Sequence, residues 1–248
     1  MLVGSQARAE TPADEWSDVD IVLFVDDPRP FATEADWLAA FGTPELTFLE
    51  RAVVGGGPER RVLFDDGLEV DFALFPAAAI AAAAAYPEAA STAARGYRVL
   101  YDEVGLEAAL AGRTGDGAEP RRNPAEIVND FWYHALWTAK KLRRGETLSA
   151  RNCLECRLKG LLLEIAREHA LRRDPGTDTW HRDRFVEQWA DPRTIDALWH
   201  STAGDPGTLA GALWHLCGVF DELAAETTGP VPGAAAARER LTVLVPRS

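Results

Sequence analysis

A chain of 248 residues, 47% of them hydrophobic, has the length for one large domain or two small ones and the apolar content for a sizeable core. The formal net charge is −13, and the first half carries it: 8 Lys and Arg stand against 22 Asp and Glu through residue 120, with 18 against 17 in the remainder. Such a surface repels a phosphate backbone and attracts small cations, so nucleic-acid binding is not expected. No apolar run is long enough to span a bilayer; the longest candidate, Ala77 to Ala85, is short and alanine-rich. The N-terminus lacks the basic and apolar regions of a secretory signal, and three cysteines, an odd number, fit a reducing compartment. A cytoplasmic location is therefore expected.

In chain order, only Met1-Leu2-Val3 precede Gly4-Ser5. Any first strand is short, or the chain begins within a longer protein. Strands are predicted over Ile21–Val25, Leu46–Val54, Arg61–Phe64, Glu69–Phe75 and Arg98–Tyr101. Asp65-Asp66-Gly67 is a turn, so the third and fourth of these should form a hairpin. A helix is predicted over Ala32–Phe41 with Thr33 as its cap, and another between Pro76 and Pro87. Gly112 to Pro124 reads as a linker.

Helical periodicity follows the linker. Asn123 should cap a helix with Pro124 in its first turn, and Phe131, Ala135, Thr138 and Leu142 mark its apolar face. Further helices are predicted over Asn152–Leu171, Trp180–Trp189, Thr194–Ser201 and Thr208–Glu226. The tail after Thr228 reads as loosely attached, with a possible strand at Leu241–Val245. Cys153-Leu-Glu-Cys156 has no second pair to complete a metal set and reads as two small helical residues. The fold class is α+β: a small mixed sheet with helices over residues 1–118, then a helical domain over 122–248, with a substrate cleft between them.

Chemistry concentrates in three aspartates. In Asp18-Val19-Asp20-Ile21 a strand places both carboxylates on one face and the apolar residues on the other. Val70-Asp71-Phe72 presents a third in another apolar strand. On neighbouring strands these groups converge, and like charges that close are destabilising unless a cation holds them. An all-oxygen set favours a hard divalent ion such as Mg²⁺. The competing reading is an acidic edge strand that discourages aggregation.

Gly4-Ser5, then Asp18-x-Asp20, then a distant Asp71, resembles the signature of the DNA polymerase β-type nucleotidyltransferases. More of the chain is similar to the streptomycin (aminoglycoside) 6-adenylyltransferase family. That likeness includes Phe24-Val25, Trp37-Leu38, Phe41-Gly42, Asp66-Gly67-Leu68-Glu69-Val70-Asp71, Asn129-Asp130-Phe131-Trp132, Ala139-Lys140, Glu146 and the late helix from Leu213 to Glu222. The resemblance implies transfer of AMP from ATP to an aminoglycoside hydroxyl, with release of pyrophosphate. It further implies two Mg²⁺ held by Asp18, Asp20 and Asp71, phosphate binding by Gly4 and Ser5, and a monomeric protein. The family commonly has Arg after Gly-Ser, where this chain has Gln6; Arg8 is the candidate substitute.

Tyr133, Trp137, Lys140, Lys141 and Arg144 share one side of their helix. Lys140, and more weakly Arg144, are candidates for the β- and γ-phosphates of ATP, while the alternative for these cations is complementing the helix dipole. Glu69, Asp130, Glu146 and Glu155 are the first candidates for a polycationic acceptor. The proton-accepting base is either Asp71 or a carboxylate of the helical half. Two other functions stay open: a transferase with a lincosamide, nucleotide or protein acceptor, and a non-catalytic nucleotide-binding or antitoxin-like protein.

Overall fold

Alternation of side chains builds a five-stranded sheet in the first half of the chain. The computed structural model describes residues 1–8, 13–80, 87–110, 121–180 and 183–246, and divides into two compact units, Met1–Pro120 and Arg121–Ser248. Strands β1 (Leu2–Val3), β2 (Val19–Val25), β3 (Pro44–Arg51), β4 (Pro58–Phe64) and β5 (Glu69–Pro76) run in the order β1-β2-β5-β4-β3. Only β2 and β5 pair in parallel; the other neighbours are antiparallel. The predicted hairpin is β4–β5, and Leu63 pairs with Glu69 beside its turn. The fold class is α+β, with this mixed sheet in the first unit and helices dominating the second.

One face of the sheet is apolar. Val62, Phe64, Val70, Phe72 and Leu74 form a buried cluster with Leu38, against which Val19, Ile21, Leu23, Phe31 and Trp37 pack. The edge of Trp37 meets the Phe72 ring at 5.0 Å between centroids. The helix expected over Ala32–Phe41 is broken into α1 (Arg29–Thr33) and a 3-10 turn, Asp36–Ala40, because Glu34 adopts extended backbone. Buried Arg60 takes carbonyls freed by that break, donating to Phe31 O and Ala32 O, and Trp37 Nε1 donates to Glu34 O at 3.1 Å. Thr33 lies in the last turn of α1, its hydroxyl donating to Arg29 O, and so is not a cap.

Arg98 makes a single bridge to Leu2 where a strand was expected. Helices α2 (Pro87–Arg95) and α3 (Leu106–Leu110) close the first unit. The alanine-rich helix expected after Pro76 begins as a 3-10 turn, Ala77–Ala79; residues 81–86 of it, and 111–120 of the expected linker, lie outside the described residues.

In the second unit Asn123 caps α4 (Pro124–Arg143), its side chain accepting from Ala125 N. Ile127, Phe131, Ala135, Thr138 and Ala139 bury one face of α4, and Phe131 stacks on Phe220 with centroids 3.6 Å apart. The next helix is a continuous rod: α5 (Thr147–Asn152), a π turn over Cys153–Leu158, and α6 (Lys159–Arg173). Cys153, buried, and Cys156, exposed, are free thiols in that turn. Phe185 holds left-handed backbone at φ 52°, so among the described residues of the region expected to be one helix only α7 (Val186–Trp189) is helical; residues 181–182 lie outside the described set. Helices α8 (Pro192–His200), α9 (Leu209–Thr228) and α10 (Ala234–Leu244) complete the unit.

The tail is a helix, not a strand or a loose end. Its alanine run favours α10, Leu241 is fully buried in the unit's core, and Trp214 Nε1 donates to Val245 O at 2.9 Å. No helix among the described residues is long and apolar enough to cross a membrane.

The start of α8 carries an acid-sensitive cap. Asp191 caps α8 through Arg193 N, and its carboxylate meets Arg193 Nε at 3.0 Å. The Arg193 hydrogen bond draws the Asp191 pKa from 3.8 down to about 2. A depressed carboxylate stabilises the fold above its unfolded pKa, and that stabilisation is lost as pH falls through the folded one. Asp191→Asn, which keeps a capping oxygen, should therefore melt below wild type at neutral pH, with the gap closing between about pH 4 and pH 2. A gap of equal size at pH 7 and pH 2 in urea titrations would remove the ion pair from the account.

Candidate active site

The polar face of the sheet carries the carboxylates. Val19, Ile21 and Leu23 turn into the core, which leaves Asp20 on the opposite face. Asp18 stands just ahead of β2, and Asp20 is paired in register with Asp71 on β5. One oxygen from each of Asp18, Asp20 and Asp71 lies within 4.8 Å of the other two. Asp71 is buried and the other two are half-buried. β2 lies inside the sheet between β1 and β5, which sets aside the reading of an acidic edge strand.

Gly4 opens the 3-10 turn, Gly4–Gln6, that follows β1, next to Val3, which pairs with Asp20. Its φ of +67° is left-handed, and a Cβ there would overlap Asp20 Oδ2 and stand 2.9 Å from its Cγ. Only glycine lets this turn lie against the carboxylate. The next residue, Ser5, is buried, and its Oγ has no hydrogen-bond partner among the described residues. Gln6 is exposed, whereas Arg8 is buried and close enough to Asp20 to counter its charge.

Electrostatics mark the cluster as short of positive charge. Burial, then Asp18 and Glu59, push the Asp20 pKa up from 3.8 to about 6, against the opposing pull of Arg61 and Arg8. Asp71 is also raised to about 6, chiefly by burial, with Arg61 pulling it down and Glu59, Asp18 and Asp20 pushing it up. An all-oxygen set of three converging carboxylates, beside an orphaned buried hydroxyl, fits a hard divalent cation such as Mg²⁺.

Arg61, Glu59 and Glu50 are part of this face and were not among the residues expected from sequence. Arg61 stands opposite Asp71 in the β4–β5 register, and counting outward from the Asp65-Asp66-Gly67 turn would have placed it there.

The cationic candidates lie on the second unit. Lys140 is exposed and makes no ion pair among the described residues. Lys141 lies over the Trp137 ring at 5.0 Å and pairs with Glu146, as does Arg144 at 2.8 Å. Of the four carboxylates considered for a cationic acceptor, Asp130 is held by Arg122, Arg157 and His134, Glu146 by Lys141 and Arg144, and Glu155 by Lys159. Glu69 is exposed and has no such partner among the described residues.

Asp18 just ahead of β2, Asp20 on it, Asp71 on its parallel neighbour and a glycine turn against Asp20 form one carboxylate cluster of the kind expected for a nucleotidyltransferase. The chain belongs to the streptomycin adenylyltransferase family, whose model matches residues 1–232. Among solved structures it is similar to an aminoglycoside 6-adenyltransferase from Bacillus subtilis, at 16% identity and a TM-score of 0.47, over 93% of this chain and 89% of that one. No curated protein matches it.

Proposed function

We propose that the protein transfers AMP from ATP to a hydroxyl of an aminoglycoside such as streptomycin, as a 6-adenylyltransferase, and releases pyrophosphate. The convergence of Asp18, Asp20 and Asp71 within 4.8 Å is the observation that carries this reading. Asp18 and Asp20 would hold one Mg²⁺ and, with Asp71, a second. When bound, such ions neutralise the attacking and leaving oxygens of an in-line displacement.

The chain's own residues do the rest. The acceptor oxygen forms a bond to the α-phosphorus as the bond from that phosphorus to pyrophosphate breaks. Asp71 or a carboxylate of the helical half takes the hydroxyl proton. Gly4 lets backbone approach the phosphates, and the unpartnered Ser5 hydroxyl is available to donate to one of them. Lys140 supplies countercharge to the β- and γ-phosphates, with Arg144 second because Glu146 already engages it. The acidic first half draws in a cationic acceptor.

Pyrophosphate release is the direct assay, with Mg²⁺-ATP and a panel of aminoglycosides. Release with streptomycin and none without an acceptor is expected. Modification of a neutral or protein acceptor, with every aminoglycoside inert, would discard the acceptor and leave the transfer chemistry standing. For the phosphate contact, Lys140→Ala should raise the KM for ATP about tenfold, the effect of losing one charge-assisted hydrogen bond. Lys141→Ala and Lys159→Ala should change it less, since Glu146 and Glu155 occupy those ammonium groups. Equal effects at all three lysines would return Lys140 to the solvent-exposed surface.

A further inference from the structure

Arg61 divides its guanidinium among three carboxylates on the site's face. Nη1 lies 3.0 Å from Asp71 Oδ2, Nη2 lies 3.4 Å from Glu59 Oε2, and Nε lies 2.9 Å from Glu50 Oε2. The strand register imposes this arrangement. Arg61 on β4 faces Asp71 on β5, which faces Asp20 on β2, so cation and carboxylates form one row across the sheet. An arginine serving only the surface of β4 would need no more than Glu50 and Glu59. The contact to Asp71 instead ties a planar, permanently charged group to the third carboxylate of the triad.

We infer that Arg61 is a positioning residue that orients Asp71 and serves as the triad's built-in counter-cation, competing with the divalent ion for that carboxylate. The inference rests on the reading that the triad holds a metal. Two effects of opposite sign follow. A positive charge at this distance weakens the attraction of the cluster for a divalent ion. The same ion pair restrains where the Asp71 carboxylate can sit, which matters for an in-line displacement. A purely structural arginine would produce neither combination, because its loss would loosen the site and the fold together.

The test measures Mn²⁺ binding to the nucleotide-free protein by electron paramagnetic resonance, beside kcat and melting temperature, for wild type, Arg61→Met and Arg61→Lys. Arg61→Met should bind Mn²⁺ about tenfold more tightly, because one positive charge has left the cluster. Its kcat should fall roughly 10²-fold, the cost of a reacting group misplaced by about an ångström. Arg61→Lys keeps the charge and loses the fork, so its Mn²⁺ affinity should match wild type while kcat stays reduced. Unchanged or weaker Mn²⁺ binding by Arg61→Met would overturn the inference. If that variant does not fold, Arg61→Lys decides: a wild-type kcat there would show that the fork is not needed. Wild-type protein that binds no Mn²⁺ would overturn the metal reading and this one together, whereas binding by wild type with an unresponsive Arg61→Met overturns this one alone.

Discussion

Asp20→Asn should lose at least roughly 10²- to 10³-fold in turnover, the loss expected when a central electrostatic group leaves a preorganised site. The fold should survive, and in the absence of divalent ions it should gain. Asp20 in the native chain has its pKa raised to about 6, first by burial and then by Asp18 and Glu59. A carboxylate raised in this way binds protons more tightly in the native state than in the unfolded one. Stability therefore falls as pH rises from the unfolded value through about 6, and the full penalty is present at neutral pH. Asparagine carries no such penalty. Metal-free Asp20→Asn should melt at or above wild type at pH 7, with the advantage disappearing below about pH 4. Near-normal pyrophosphate release by this variant would sink the assignment of the triad.

Gly4→Ala should damage the same chemistry by a different route. The added Cβ would collide with Asp20 Oδ2, and the backbone at φ +67° is strained for any residue with a side chain. The backbone effect alone costs about 1–2 kcal/mol, and the collision must displace Asp20 or the turn. Turnover should drop roughly 10²-fold, as for other misplacements of about an ångström. Gly67 supplies the control. It too has positive φ, +84°, but a Cβ there meets nothing within 4 Å. Gly67→Ala should therefore lose stability and keep activity. Equal activity losses in the two variants would mean that general destabilisation, not contact with Asp20, is being measured.

Much of the first unit was legible because its signals are local. Period-two alternation put Asp20 opposite Ile21 and Asp71 opposite Phe72, and the Asp65-Asp66-Gly67 turn announced the β4–β5 hairpin. The Asn123 cap and the buried face of α4 were equally plain. Failures came where distant residues decide. The pattern over Ala32–Phe41 is helical by itself, but Arg60, from a strand far along the chain, takes the Phe31 and Ala32 carbonyls that the break exposes. Leu241–Val245 looks like a strand in isolation; the alanines before it and the core that swallows Leu241 make it the end of a helix. Arg61 was hidden for a third reason. A charged residue in a strand carries no sign of its neighbour until the pairing is counted residue by residue.

The parallel pairing of β2 with β5 has a consequence for folding. Two strands joined in parallel cannot be linked by a tight turn, and here β3 and β4 are made between them. The Asp20–Asp71 pair thus closes a long loop, whose entropy is spent before any contact rewards it. Neither strand alone presents the full ligand set, so an unfolded or half-assembled chain offers a divalent ion little to grip. If the triad binds such an ion as proposed, its binding energy would accrue to the native state, about 2.7 kcal/mol at a hundredfold excess over the dissociation constant. A divalent ion that filled the proposed site would in that sense be a folding ligand, offsetting a carboxylate repulsion that arises only once β2 and β5 have paired.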